Sequence, residues 1–430
     1  MFNIYPEQKY PGSKFYKDMF QKILSVIVFS FFNLIFSQQY SWNTQGITVA
    51  GGNGAGGANN QLNFPYSVFI DSSSNLYITD TQNHRIVKWD SALNQGVTVA
   101  GGNGSGGNSN QLNTPTCVWV DDNKNIYVLD SFNARIQKWE PNAVTGIIVA
   151  GGNGEGAALN QLNKPGGFYL RGNTFYIVDA GNSRIVKWAI GDSSGTLAAA
   201  GTYGANADQL ANPSVNGTIY VDNNENLYVT DYINNRVQKF SSGSTNAVTV
   251  AGGNGSGTAN NQMKAPNGIF MMNDGTMIIA EYTGRRILSW KEGQTSGNVI
   301  AGGNGNGSGA DQFKSPRGVF VAPNGDLYVT DMGNHRIQKF IFNGTLSTQD
   351  EIKHNVSSSI YPNPADEVIH ITAKYQIESI KIFDGSGRDV TGNNSVQNNS
   401  VLTVQSLEPG VYFLHLFGKK EHETLKFIKK

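Results

Sequence analysis

The chain has 430 residues, with 51 glycines, 13 prolines, one cysteine, and 32 basic against 32 acidic side chains. The balanced charge singles out no polyanionic partner, the lone Cys117 excludes a disulfide scaffold and a four-cysteine zinc site, and 39% hydrophobic with 11% aromatic residues excludes a wholly disordered chain. Glycine lies well above the usual ~7% and clusters instead of recurring at every third position, which excludes collagen and points to longer repeats.

The amino end reads as an export signal. Lys22 precedes the apolar run 23–36, and Ser37 with Gln38 offers a small-residue cleavage point. That run is short of the ~20 apolar residues a membrane helix needs, so no transmembrane anchor is expected. Residues 1–38 are set apart from the fold, with Met19 as the expected start.

The motif Gln-apolar-x-x-Pro then recurs at Gln61, Gln111, Gln161, Gln209, Gln262 and Gln312. Each copy continues with a short apolar run (SVFID in the first), a turn, a second run (LYITD), and a third that opens on Arg (RIVKW). A fourth run, VTVA or similar, precedes a cluster of glycines. Such runs, rich in Val, Ile and aromatics and bounded by Asn, Asp and Gly, predict strands. Four short strands in each unit of about 50 residues predict a propeller blade. One fourth run, ITVA at 47–50, lies before the first unit, and none follows RIQKF at 336–340. Residues 46–50 are therefore expected to complete the sixth blade and close the ring. The fold class expected is all-β: a six-bladed β-propeller over 46–341, a linker over 342–358, and a small β-sandwich over 359–430, where strand patterns alternate with turn glycines. Phe69, Trp119, Tyr169, Tyr220, Phe270 and Phe320 occupy one repeat position and are expected to pack blade against blade, with Cys117 among them as a core thiol.

Several motifs invite a chemical reading. GGNGAGG and GGNGSGG contain G-x-G-x-x-G, but each leads into another strand and not the helix that would face a pyrophosphate, so they are expected to be connectors tolerating positive φ. The pairs Asp80/Arg85, Asp130/Arg135, Asp179/Arg184, Asp231/Arg236, Glu281/Arg286 and Asp331/Arg336 span one hairpin in every unit. A catalytic carboxylate is needed once, whereas a charge that fixes a hairpin is needed in each blade, where guanidinium can hold carboxylate bidentately. His84 and His335 share a repeat position and are expected to be solvated; equivalent atoms on neighbouring blades lie too far apart for one zinc.

NQLNFPYSVFIDSSSNLYITDTQNHRIVKW resembles the NHL repeat, and six such units resemble the six-bladed NHL propeller. IYPNPADEVIHI, IKIFDGSGRDV, LEPGVYFLHL and the terminal KFIKK are similar to the C-terminal sorting domain of the type IX secretion system of Bacteroidetes. Tyr361, Pro362, Asn363, Pro364, Gly387, Gly410, Tyr412, Lys429 and Lys430 fall at that family's motif positions. The resemblance implies passage through the periplasm, recognition of the tail by the type IX machinery, and release outside or attachment to the outer cell surface. Some NHL propellers bind nucleic acid, but residues 43–342 hold 19 basic and 20 acidic side chains, so no nucleic-acid partner is expected.

The function expected is a monomeric scaffold for an unknown extracellular protein or glycan, without cofactor or metal. The enzymatic alternative, implied by six-bladed relatives of this shape, is a metal-dependent lactonase-like hydrolase or an amidating-lyase-like activity. A binding surface is expected where the repeat breaks, in blades three to five. Arg171 there replaces an acidic residue, Tyr203 stands in the altered GTYG loop, and blade five carries Ile278, Glu281, Arg285 and Ser289.

Overall fold

A computed structural model describes residues 40–343 except 72, 201 and 212–215, and residues 358–430 except 362–363, 374–375, 385–387, 393–395, 398–400 and 418–421. The chain divides into two compact units after Thr345.

The first unit holds six four-stranded antiparallel sheets, the six blades foreseen. The first blade runs Pro65–Ile70, Leu76–Asp80, Arg85–Asp90 and Gln95–Gly101, each strand paired to the next. The innermost strands of the other blades are Pro115–Val120, Phe168–Arg171, Ile219–Val221, Pro266–Met271 and Pro316–Val321. In the sixth blade the outer strand is Ile47–Gly51, one residue later than expected, with Ile47 opposite Lys339 and Gly51 opposite Arg336. Closure extends further toward the amino end. Asn43 N–H donates to the Ile341 carbonyl at 2.8 Å, Asn343 N–H to the Ser41 carbonyl at 2.9 Å, and the buried Trp42 indole to the Gly325 carbonyl at 2.7 Å. Residues 40–43 thus form a strap that doubles the closing strand.

The repeated acid and base brace each blade. Arg85 Nε donates to Asp80 Oδ2 at 2.7 Å, Asp80 Oδ1 accepts the Asn63 N–H at 2.6 Å, and Asn83 Nδ2 bridges Asp80 Oδ2 and the Gly56 carbonyl, both at 2.8 Å. The Nε contact recurs at 2.7 Å from Arg135 to Asp130, Arg184 to Asp179 and Arg236 to Asp231, and at 2.8 Å from Arg336 to Asp331. In all five Asp blades this single contact corrects the bidentate pairing expected from the sequence, because the second carboxylate oxygen is committed to backbone. Asp130 Oδ1 accepts from Asn113 N–H, Asp179 Oδ1 from Asn163 N–H at 2.6 Å, and Asp231 Oδ1 from Ala211 N–H at 2.8 Å. The remaining guanidinium nitrogens turn instead to carbonyls of the glycine loop. Arg135 reaches Gly107, Asn108 and Gln111, Arg184 reaches Ala157, Ala158 and Gln161, Arg85 reaches Ala58 and Gln61, and Arg236 reaches Asn206 and Gln209.

The motif Gln closes that loop: Gln61 Nε2 donates to the Asn53 carbonyl at 3.0 Å, and a Cβ at Gly56 would meet Gln61 Oε1 at 2.0 Å. With Gly51, Gly52 and Gly54 at φ of 68°, 81° and 78°, the glycine clusters are folded connectors, as read from the sequence. Blade five keeps the brace with a longer acid. Glu281 Oε2 takes Arg286 Nε at 2.5 Å, and here a second nitrogen, Arg286 Nη2, also approaches Glu281 Oε1, at 3.4 Å. Gly284 stands where the other blades have Asn, since a Cβ there would lie 2.2 Å from Glu281 Oε2.

His84 and His335 are half-buried, which corrects the solvated reading. Each adopts a left-handed turn, and its Nδ1 accepts a backbone N–H of the next blade at 3.2 Å, from Thr114 and Phe64 respectively. In blade four Asn235 Oδ1 makes the same clip to Ala265 N–H at 2.9 Å.

The second unit pairs one sheet of Ser358–Tyr361, Val368–Ala373, Val401–Thr403 and Val396–Gln397 with another of Ser379–Asp384, Gly410–Phe417 and His422–Lys429. Their inward residues, among them Ile369, Ile382, Leu414 and Phe427, form the core of the sandwich. Of the sorting-motif residues, Tyr412 stacks on Phe427 at 5.4 Å and donates its hydroxyl to the Glu408 carbonyl at 2.7 Å. Gly410 opens its strand opposite Lys429, and Lys430 N–H donates to the Ala365 carbonyl at 2.9 Å. Pro362, Asn363 and Gly387 lie outside the described residues.

Candidate binding site on the propeller axis

Alternation along the innermost strands decides what faces the axis. Phe69, Trp119, Tyr169, Tyr220, Phe270 and Phe320 pack against the cores between blades, as expected, and they also meet one another around the ring. Centroids of neighbouring rings lie 5.2 Å apart for Phe69–Trp119, 5.0 Å for Trp119–Tyr169, 5.1 Å for Tyr169–Tyr220, and 5.3 Å for both Phe270–Phe320 and Phe69–Phe320. A run of ring contacts spanning all six blades requires the side chains to point inward, as a collar. Two residues earlier, on the same face of each strand, stand Ser67, Cys117, Gly167, Thr218, Gly268 and Gly318, small enough to leave a space. Collar and small layer enclose a cavity of about 440 Å³. Cys117 packs against the core between blades two and three and also lines the axial cavity; burial pushes it up to about 11.

One end of the axis is closed by Tyr66, Asn216, Asn267 and Arg317, which no other blade matches, with Tyr232 and Tyr282, which share one repeat position in blades four and five. Arg317 follows the motif proline of blade six, and its guanidinium carbon sits 3.8 Å from the centroid of the Tyr66 ring and 5.7 Å from that of Tyr282. It hydrogen-bonds Asn216 Oδ1, which also accepts from Asn267 Nδ2 at 3.1 Å. Asn216 belongs to blade four and Arg317 to blade six, so the bond passes over blade five, near the axis. Tyr232 joins this cluster at 6.1 Å from Tyr282. Burial pulls the Arg317 guanidinium down from its ordinary value. This end lies on the face that carries the glycine loops and the braced hairpins, because Pro65, Pro266 and Pro316 pair with Asp80, Glu281 and Asp331.

The four residues singled out from the sequence do not form one surface. Arg171 ends its strand opposite Thr174, at the far end from the braced hairpins, and its Nη2 donates to the Asn223 carbonyl at 2.9 Å. Its blade turns in two residues at Gly172 and Asn173, so the Asp that caps the longer turn in blades one, two and four, as Asp71 does by accepting from Ser73 and Asn75 N–H, is not needed there. Glu281 is fully buried in its brace. Tyr203, 64% exposed, and Arg285, in a left-handed turn at φ 53°, stand on the glycine-loop face. Arg317 and Tyr66 were missed by sequence reasoning; the signal was present in the residue that follows each motif proline, where Tyr66, Thr116, Gly166, Asn267 and Arg317 share no chemistry. Among the described residues no group of three or more His, Cys, Asp or Glu side chains is placed to hold a metal ion.

Comparison with known proteins places both units. The NHL repeat matches residues 313–340, and the secretion system C-terminal sorting domain matches residues 359–430. No curated protein matches the chain. Among solved structures, it is similar to a protein of unknown function from Bacteroides thetaiotaomicron VPI-5482, at 14% identity and a TM-score of 0.53, over 69% of this chain and 76% of that one. An auxiliary nutrient binding protein from the same organism matches at 14% identity and a TM-score of 0.53, over 71% and 77% of the two chains. Another from Bacteroides ovatus ATCC 8483 matches at 13% identity and a TM-score of 0.51, over 71% and 77%. At such identities the likeness is one of fold.

Proposed function

We propose that this NHL-repeat propeller, which its C-terminal sorting domain directs through the type IX system to the cell surface or beyond, is a non-catalytic scaffold for an extracellular protein or glycan and holds its ligand at the axis. The observation that carries the reading is a division of labour among side chains. The repeated acids and arginines are consumed by the braces, whereas Tyr66, Asn216, Asn267 and Arg317, which no other blade matches, gather with Tyr232 and Tyr282 at one end of an aromatic-lined cavity. Catalysis needs a base or nucleophile ionised near neutral pH and aimed at substrate. The thiol at Cys117 is pushed up to about 11 and the phenol at Tyr169 to about 12, both by burial, so both stay protonated. Such a wall stacks and hydrogen-bonds; it does not react. Two of the similar folds are nutrient binding proteins. With Arg317 and its partners closing one end, a ligand enters from the face where Arg171 stands.

The test is binding of the mature secreted chain to a glycan array and to surface proteins of the producing cell, beside Cys117→Met, which fills the cavity. Retention by the native chain and its loss in the variant are expected. Equal retention moves the site off the axis, and stoichiometric zinc or calcium in the purified protein favours the enzymatic alternative.

A further inference from the structure

Blade five breaks the repeat at two positions that face each other across its middle strands. Five blades carry a Tyr and a Lys there, and in three of them the ammonium lies over the ring: Lys88 on Tyr77 at 5.9 Å, Lys187 on Tyr176 at 5.3 Å and Lys239 on Tyr228 at 5.4 Å. In blade five the pair is Ile278 and Ser289. The smaller pair makes room for the strap: Tyr40 and Trp42 are buried in one cluster with Ile278, Ala280 and Ile287. The room is not filled. A cavity of about 300 Å³ remains between strap and blade, lined by both aromatic rings and by Thr276, Ser289 and Gln294.

The lining selects a ligand class. Its two charged groups neutralise each other, since Lys291 Nζ meets Asp274 Oδ2 at 3.0 Å, and Asp274 is further held by the Thr276 N–H at 2.9 Å and hydroxyl at 3.0 Å. Together they leave no net charge in the lining to draw a charged ligand. What is left is hydroxyl and amide hydrogen-bonding capacity beside aromatic walls, which suits a ring with one apolar face and many hydroxyls. The volume, at the lower end of the ~300–1,000 Å³ of small-ligand sites, admits a single ring. We propose that the strap cavity is a subsite for one neutral sugar ring, standing independently of the axial site. Because such a ligand touches both strap and blade, its binding opposes release of the strap.

The experiment titrates the mature full-length chain with methyl glycosides of glucose, galactose, mannose and N-acetylglucosamine, with glucuronic acid and glucosamine as charged controls, read by saturation-transfer NMR and by the unfolding midpoint. At least one neutral glycoside should saturate, with half-saturation on the order of millimolar, and raise the midpoint. Ser289→Lys restores the side chain of the other blades and fills the cavity; binding should fall by about tenfold or more with cooperative unfolding retained. Should that variant fail to fold, Gln294→Ala at the rim should weaken binding instead. Val144→Ser, at an exposed position outside both cavities, should leave sugar binding unchanged, and loss of binding in Cys117→Met with none in Ser289→Lys would place the sugar on the axis and overturn the proposal. The proposal is overturned if no neutral glycoside saturates, if the charged sugars bind as well, or if neither cavity variant weakens binding.

Discussion

A single ring nitrogen closes the propeller at two of its seams. His84 and His335 accept a backbone N–H of the following blade through Nδ1, which requires that nitrogen to be bare. Burial lowers both imidazoles from 6.5; Asp130 and Asp80 oppose that shift at His84, and at His335 Lys314 adds to it while Asp331 and Asp80 oppose it. The unfolded chain therefore takes up these protons first. Their contribution to stability is complete above about pH 6.5 and is lost as pH falls below that value toward the lower folded pKa. Asn at both positions keeps an acceptor that does not titrate, as Asn235 shows in blade four, and it tolerates a left-handed turn. Denaturant unfolding of His84→Asn/His335→Asn should match the native chain near pH 8 and show a flatter loss between pH 7 and 5; an unchanged slope would reject this role. None of this was legible in the sequence, where a His on a turn between strands reads as solvated, because the partner N–H arrives from the neighbouring blade.

At the scale of elements, six copies made the blades readable: strand count, connector chemistry, the brace, and even donation of the closing strand emerge from comparing one copy with the next. The brace was legible as a pairing of residues but not as a geometry, since the loop carbonyls that draw Arg184 and Arg236 away from a bidentate grip come from a connector some 25 residues earlier in the chain. Orientation was hidden too. Whether position 69 or its neighbours 68 and 70 face the axis depends on how a closed ring turns each strand, and Phe69 is as apolar as Val68 and Ile70. The strap could not be read either, since residues 40–43 precede the first copy and resemble nothing that repeats. Its weight is testable. Trp42 is 5% exposed and hydrogen-bonded to the Gly325 carbonyl, so Trp42→Ala should cost about 3–5 kcal/mol. Unfolding that stays within about 1 kcal/mol of the native chain would show that the strand at Ile47–Gly51 closes the ring alone.

Over the whole molecule, the propeller strands and the sorting-domain strands form separate sheets. The ring is closed by residues 40–51, and no strand of the tail enters any of the six propeller sheets among the described residues. Truncation after Gly344 should therefore leave the propeller's unfolding midpoint unchanged and hold the protein in the periplasm. Loss of cooperative melting, or normal appearance outside the cell, would contradict that separation.

The proposal that the propeller holds a ligand on its axis can be tested at one atom, because Cys117 is the sole thiol of the chain and lines the cavity. The measurement is the rate at which a small alkylating reagent modifies Cys117, followed by mass spectrometry near pH 9, for the mature protein free and saturated with whatever glycan or protein it retains. Occupancy of the axis predicts modification slowed by about tenfold or more in the loaded protein, in proportion to the fraction bound. An identical rate in the free and loaded protein would place the ligand elsewhere and contradict the account.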